Sequence, residues 1–204
     1  LNLSLTAAVL VSYMLGAVPF GLLLSKVFTN RDPREHGSGN IGATNAMRTG
    51  GKKVGILTLV ADIAKSLLPV SLAVWFELPE IWIAAIALAT FLGHLFPVYL
   101  NFKGGKGVAT MLGAMLPWQP LAAVVGLLIW LAAIFITRYV SLSSIIAALA
   151  LPLLVVWFGG SIPALIVSMI FASLVTLKHA SNIKRLMDGT ESRIGKSDKK
   201  SSDG

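Results

Sequence analysis

Between residues 3 and 25 the chain reads LSLTAAVLVSYMLGAVPFGLLLS, with no charged side chain anywhere in the run. A bilayer has a hydrocarbon core roughly 30 Å thick, which an α-helix crosses in about 20 apolar residues. Comparable runs fall at roughly residues 55–76, 81–100, 121–137, 142–158 and 162–177, and a shorter one at Val108–Trp118. Eleven residues at about 1.5 Å each cover only half the core thickness, so this last run is ambiguous by length alone. Only 13% of the residues are charged and 55% are hydrophobic, against about 25% charged in soluble domains. No separate soluble domain fits in what remains.

The basic residues decide the ambiguous run, because Lys and Arg in short connections stay on the cytoplasmic side. They form four groups: Lys26, Arg31, Arg34, Arg48, Lys52 and Lys53; Lys103 and Lys106; Arg138; and Lys178 with the segment after it. The connections near 77–80, 118–120 and 159–161 carry no Lys or Arg. If Val108–Trp118 crosses, all four groups share one face; if it does not, Arg138 lies opposite the groups before it. The sequence therefore predicts an all-α integral membrane protein of seven transmembrane helices, one of them short. The N-terminus is expected outside and the C-terminus in the cytoplasm. Residues 1–194 are expected to form a single seven-helix domain and 195–204 a flexible polar tail. The short helix should have its inner end sunk below the membrane surface, drawing Lys106 into the protein. The first run lacks the basic n-region of a signal peptide and reads as a retained helix.

Several chemistries are excluded by residue type. The chain has no cysteine, which removes disulfides, thiolate metal sites and thiol nucleophiles. The histidines are His36, His94 and His179, far apart and without metal-ligand spacing, so no metal or other cofactor is expected. The net charge of +8 sits beside membrane spans rather than on a soluble face with stacking aromatics. Anionic headgroups and phosphorylated substrates are the expected partners, and nucleic acid is not. No obligate protein partner is evident.

Three polar stretches converge on the inner face. The first, GSGNIGATNAMRTGGKK from Gly37, has glycines 37, 39 and 42 to turn backbone N–H groups toward an anion. Ser38, Asn40, Thr44 and Asn45 add short neutral hydrogen bonds, and Arg48 a permanently charged fork. A flexible connection is the competing reading. In the second, Gly104, Gly105, Lys106 and Gly107 precede a helix, where backbone donors and a lysine favour an anion. The alternative is a tight turn with interfacial lysines. It is not a nucleotide-binding P-loop, since Gly107 follows the lysine where Ser or Thr is required. The third stretch, KHASNIKRLMDGTE from Lys178, holds the expected reacting groups. His179 and Asn182 share a face if the last helix continues, and together they suit a hydroxyl that must be held and relieved of its proton. Glu191 reads as a partner for an inward basic residue rather than a base. Most of Lys178, Lys184, Arg185 and Lys196 read as anchors to anionic lipid.

Two features lie within the spans. Asp62 and Lys65, three apart in the second run, are expected to pair, a proton relay being the alternative. His94 and Pro97 read as a satisfied polar contact and a kink, direct involvement of His94 in catalysis being the alternative.

Taken together, GSGNIGATN with Arg48, GGKGVAT with Lys106, and HASNIKR followed by GTE resemble the three inner-face motifs of the bacterial acyl-phosphate-dependent glycerol-3-phosphate acyltransferases, the PlsY family. The resemblance covers nearly the whole chain, including the GHLFPVYLNFKGGKG lead-in. It implies transfer of a fatty acyl group from acyl phosphate to the 1-hydroxyl of glycerol 3-phosphate, in a bacterial inner membrane. The products would be lysophosphatidate and inorganic phosphate. It also implies that Ser38, Arg48 and Lys106 grip phosphate, and that His179 and Asn182 position the glycerol phosphate while the acyl tail lies between helices. The His, four residues, then Asp dyad of soluble-type acyltransferases is absent: five residues after the three histidines stand Ile41, Tyr99 and Lys184. A transporter of phosphorylated anions is the rival reading, weakened because the anion-binding groups cluster at one face rather than the midplane. A structural lipid-binding role leaves the glycine-rich motifs unexplained.

Overall fold

The computed structural model describes residues 3–195; the rest of the expected polar tail, with Lys196, lies outside the described residues. Among the described residues the regular structure is entirely helical. In order come α1 (Leu3–Ala17), α2 (Phe20–Thr29), α3 (Ala43–Trp75), α4 (Glu80–Leu95), a 3-10 turn at Val98–Leu100 and α5 (Val108–Trp118). They are followed by α6 (Pro120–Thr137), α7 (Val140–Trp157), α8 (Ile162–Lys178) and α9 (Ala180–Met187). Five stretches are long and apolar enough to cross a membrane: Leu3–Thr29, α3, Glu80–Leu100, α6 and α7. A sixth is the pair α8 and α9, bent by 56°. The short run becomes α5. Large apolar side chains such as Trp75, Phe135, Leu153 and Ile162 are exposed on the outer surface, as a lipid-facing exterior requires. The chain is a multi-pass membrane protein.

Local chemistry explains the breaks. Pro19 has no N–H to continue α1, so the run expected at 3–25 splits after Ala17 into two helices. The first polar stretch is not wholly a loop, as its glycine content suggested: residues 43–50 are helical, N-capped at Gly42 and broken from the rest of α3 at Gly51, with φ 85°. The last helix does not run straight past Lys178 but bends at His179.

Packing relies on small residues, because lipid supplies no hydrophobic drive between helices and close contact must supply the attraction. A Cβ at Gly16 of α1 would fall on the Thr90 backbone of α4, and one at Gly93 on the Tyr13 backbone. The core joins Ile83, Ala87, Phe91 and Leu95 of α4 to Met111 and Met115 of α5 and to Val167, Phe171 and Val175 of α8. The rings of Phe91 and Phe171 lie 4.3 Å apart.

The connections sort onto two ends of the bundle. At one end, Ser161 hydrogen-bonds Glu80, tying the α7–α8 connection to the start of α4. At the other, Lys106 meets Asn182, Ser141 meets Glu191, and the Ile194 N–H donates to the Arg138 carbonyl. Ser38 and Arg48 of the first polar stretch line one cavity with Lys106, His179 and Asn182, so the four basic groups belong to connections gathered at one end. Gly105 and Gly107 are buried there and Lys106 is half-buried, so the α4–α5 connection dips into the bundle.

Candidate active site

Two cavities open at the basic end. The larger holds about 420 Å³ and is lined at its mouth by Ser38, Arg48, Lys106, His179, Asn182 and Glu191. Deeper, its walls are Ile63 of α3, Met115 of α5, Ala123, Gly126 and Leu127 of α6, and Leu151 of α7. On α7 the lining runs from Val140 to Leu151, eleven residues apart, so the cavity follows that helix for about 16 Å. The smaller, about 200 Å³, shares Ser38, Asn40 and Lys106 with the larger and adds Lys178, Ser181 and Arg185.

Every site residue expected from sequence lines one of these cavities. Ser38, Asn40, Thr44, Asn45, Arg48, Lys106, Gly107, His179 and Asn182 line the larger, and Gly104 and Gly105 the smaller. Their chemical parts differ from the expectation in three places. Asn45 is 2% exposed and staples the loop from within. Its two Nδ2 hydrogens are shared among the carbonyls of Pro33 (2.7 Å), His36 (3.0 Å) and Asn40 (2.8 Å), and its Oδ1 accepts the Ser38 N–H at 2.9 Å. Four of the amides expected to face an anion are also engaged within the protein. Gly39 N–H donates to His36, Gly42 N–H to Asn40 Oδ1, Gly104 N–H to Leu95 and Gly105 N–H to His94. Donors for an anion are offered by the first turn of α5, whose N–H groups have no partner within the helix; Val108 and Ala109 of that turn line the larger cavity.

The third departure concerns Lys178 and Arg185, read as lipid anchors. Lys178 Nζ donates to the Leu95 carbonyl at 2.9 Å and lies 4.2 Å from the Phe96 ring centre. Arg185 Nε donates to Glu191 Oε2 at 2.7 Å.

The helix that begins at Ala43 places Thr44 and Arg48 four apart on its exposed side and Asn45 and Thr49 on its buried side. Arg48 thereby faces the cavity while Asn45 holds the loop. Across the mouth, Glu191 organises a network. Its Oε1 accepts from Ser141 (2.7 Å) and from Asn182 Nδ2 (2.6 Å). With its nitrogen fixed on Glu191, Asn182 turns its oxygen to accept from the Lys106 ammonium. Burial pushes the Glu191 carboxyl up, but hydrogen bonds from Ser141, Asn182 and Arg185 outweigh it and hold it below the usual carboxylate range. Burial, reinforced by Arg185 and Arg48 and opposed by Glu191, brings Lys106 down to about 8. His179 Nδ1 lies 2.8 Å from the Val175 carbonyl. A carbonyl only accepts, so Nδ1 carries the hydrogen and the neutral ring offers Nε2 as an acceptor. Sequence reasoning did not find Ser141, whose only signal is a serine beside Arg138 at the start of a span.

Among the described residues, no cluster of three or more His, Asp or Glu could hold a metal. In the membrane interior, Asp62 Oδ1 and Lys65 Nζ pair at 2.8 Å, as their spacing suggested.

Fold and cavity together define a class: a multi-pass membrane protein with a cavity that is cationic at its mouth and lined by apolar side chains deeper in. The sequence profile of the family "Glycerol-3-phosphate acyltransferase" matches residues 6–189. The glycerol-3-phosphate acyltransferase of Geotalea daltonii is 51% identical over 180 residues, covering 88% of this chain and 92% of the relative. That of Syntrophotalea carbinolica is 47% identical over 192 residues, covering 91% and 95%. A crystal structure of PlsY, an integral membrane glycerol 3-phosphate acyltransferase in its glycerol 3-phosphate form, superposes with TM-score 0.90 at 38% identity, covering 94% of this chain and 96% of that one. The lysophosphatidic acid form gives 0.87 at 36% identity. The chain belongs to the glycerol-3-phosphate acyltransferase family, PlsY type, and is a membrane acyltransferase.

Proposed function

We propose that this enzyme transfers a fatty acyl group from acyl phosphate to the 1-hydroxyl of glycerol 3-phosphate, releasing lysophosphatidate and inorganic phosphate. The observation that supports it most is the larger cavity, cationic at its mouth and increasingly apolar along about 16 Å of α7. An acyl phosphate has that division of charge, with its reacting carbonyl at the junction. The smaller cavity, walled by Lys106, Lys178 and Arg185, suits the second phosphorylated substrate, and the shared Lys106 brings the two together. The solved PlsY forms carry glycerol 3-phosphate and lysophosphatidic acid, which match the proposed acceptor and product.

In the reaction, the hydroxyl oxygen attacks the acyl carbonyl carbon, and the bond from that carbon to the phosphate oxygen breaks. Lys106 and Arg48 stabilise charge on the departing phosphate. Ser38 helps hold the phosphate, and His179 and Asn182 orient the hydroxyl, supplying proximity rather than a strong base. The hydroxyl proton passes to the leaving phosphate. If His179→Gln keeps most of the turnover while Asn182→Ala loses it, the leaving phosphate rather than His179 takes the proton. The site faces the cytoplasm with seven crossings and the N-terminus outside, a topology supported by the four basic connections meeting at one end.

The test is a donor comparison in lipid with labelled glycerol 3-phosphate and either palmitoyl phosphate or palmitoyl-CoA. Lysophosphatidate from palmitoyl phosphate alone is expected. Product from palmitoyl-CoA alone would overturn the donor assignment.

A further inference from the structure

His94 has no part in the reaction just described, yet it touches the loop that carries Lys106. It is 4% exposed. Its carbonyl accepts the Gly105 N–H at 3.0 Å, and that of Leu95 accepts the Gly104 N–H at 3.2 Å. Its ring presses against Gly105 so closely that a Cβ there would overlap Nε2. Gly105 does not take a positive φ, so conformational freedom does not account for a glycine at this position. Contact with the ring does.

The ring is fixed from its other edge. Nδ1 lies 2.8 Å from Lys65 Nζ, which also donates to the Val18 carbonyl at 3.0 Å and pairs with Asp62 at 2.8 Å. An ammonium has only hydrogens to give, so Nδ1 accepts and the neutral ring carries its hydrogen on Nε2, toward Gly105. The three donors of Lys65 thus meet three acceptors, and one of these is the carbonyl at the break between α1 and α2. Three segments hold one imidazole in place.

We infer that the His94 ring, clamped by Lys65 and Asp62, is the ledge that sets the height of the Gly104–Lys106 loop, and that His94 is thereby a positioning residue for Lys106. Its kinetic consequence rests on the proposed function; its geometric consequence does not.

The test is a two-by-two set: wild type, Gly105→Ala, His94→Asn and the double variant. An asparagine amide reaches the Nδ1 position and keeps the Lys65 contact, but it removes the ring edge beneath Gly105, so folding is preserved. Two quantities are read: kcat and KM with palmitoyl phosphate and glycerol 3-phosphate, and the rate at which an amine-reactive reagent labels Lys106, followed by mass spectrometry. Gly105→Ala alone, with no room for its methyl, is expected to lower kcat/KM at least about 30-fold and raise Lys106 labelling about fivefold. In the His94→Asn background the same methyl fits, and its further effect on either quantity is expected to be under about twofold. Multiplying effects in both readouts would overturn the inference. So would a His94→Asn protein with unchanged Lys106 labelling. If no variant, wild type included, makes product from palmitoyl phosphate but the labelling pattern holds, the functional reading falls and the ledge stands.

Discussion

The most informative perturbation is the charge on Lys106. Burial, Arg185 and Arg48 bring its ammonium down to about 8 while Glu191 partly offsets them. A group whose folded pKa is lowered loses its charge as pH rises through that value, so the phosphate grip should weaken on the alkaline side. At about pH 7 roughly nine in ten molecules carry the charge, and at about pH 9 roughly one in ten. The parameter kcat/KM reports the free enzyme, so it should fall by up to about tenfold per pH unit above about pH 8 and level off at the rate of the uncharged lysine. Removing the charge with Lys106→Met forfeits charge-assisted hydrogen bonds of about 1.5–3 kcal/mol, a loss of about 10- to 150-fold in kcat/KM at neutral pH. Lys106→Arg, charged throughout the range, should start from a lower plateau and show no such limb. The assay is lysophosphatidate formation from palmitoyl phosphate across this pH range, corrected for spontaneous donor hydrolysis. A limb near pH 8 that survives in Lys106→Arg would refute the assignment, as would a flat wild-type profile to about pH 10.

Three further outcomes follow from contacts around the cavity. Glu191→Ala removes the acceptor that orients the Asn182 amide and leaves Arg185 without its partner; about 1–3 kcal/mol of lost stability is expected. It should appear as a lower thermal-inactivation midpoint together with a fall in kcat. Asp62→Asn leaves Lys65 charged and unpaired in the membrane interior, a change worth about 3–5 kcal/mol in stability. Combining it with Lys65→Met should recover more than half of that loss, measured by unfolding in detergent. At Gly126, on the wall of the apolar channel, a Cβ would meet only Leu154 Cδ1, at 3.8 Å. Gly126→Phe should therefore fold yet shorten the channel. Excluding two methylenes at about 0.8 kcal/mol each lowers the palmitoyl-to-decanoyl ratio of kcat/KM about 15-fold.

Hydropathy and basic-residue placement made much of the fold legible, because a bilayer imposes span length and charge sidedness on the chain. The apolar run Val108–Trp118 was legible as a helix in the same way, and it forms α5. The site was readable as a set of positions but not as a set of contacts. Residues 43–50 looked like a loop because glycine and asparagine have low helix propensity. The structure makes them helical, with Asn45 and Thr49 holding the buried side and Arg48 presented on the other. The GGKG glycines looked like anion donors because spacing says nothing about what lies underneath. His94 and Leu95 already take the Gly104 and Gly105 amides. Ser141, fifty residues from Glu191, and His94, twelve before Lys106, are joined to the site only by folding, and no local pattern marks either.

The account's central claim is that one cavity holds a phosphate at its cationic mouth and the attached acyl chain along α6. The measurement that tests it most directly is a structure of the enzyme with a non-hydrolysable palmitoyl phosphonate. The account predicts the phosphonate among Arg48, Lys106 and the first turn of α5, with the chain running past Leu127 and Gly126 toward Ala123. A phosphonate bound at the opposite end, or a chain lying on the outer surface of the bundle, would contradict it.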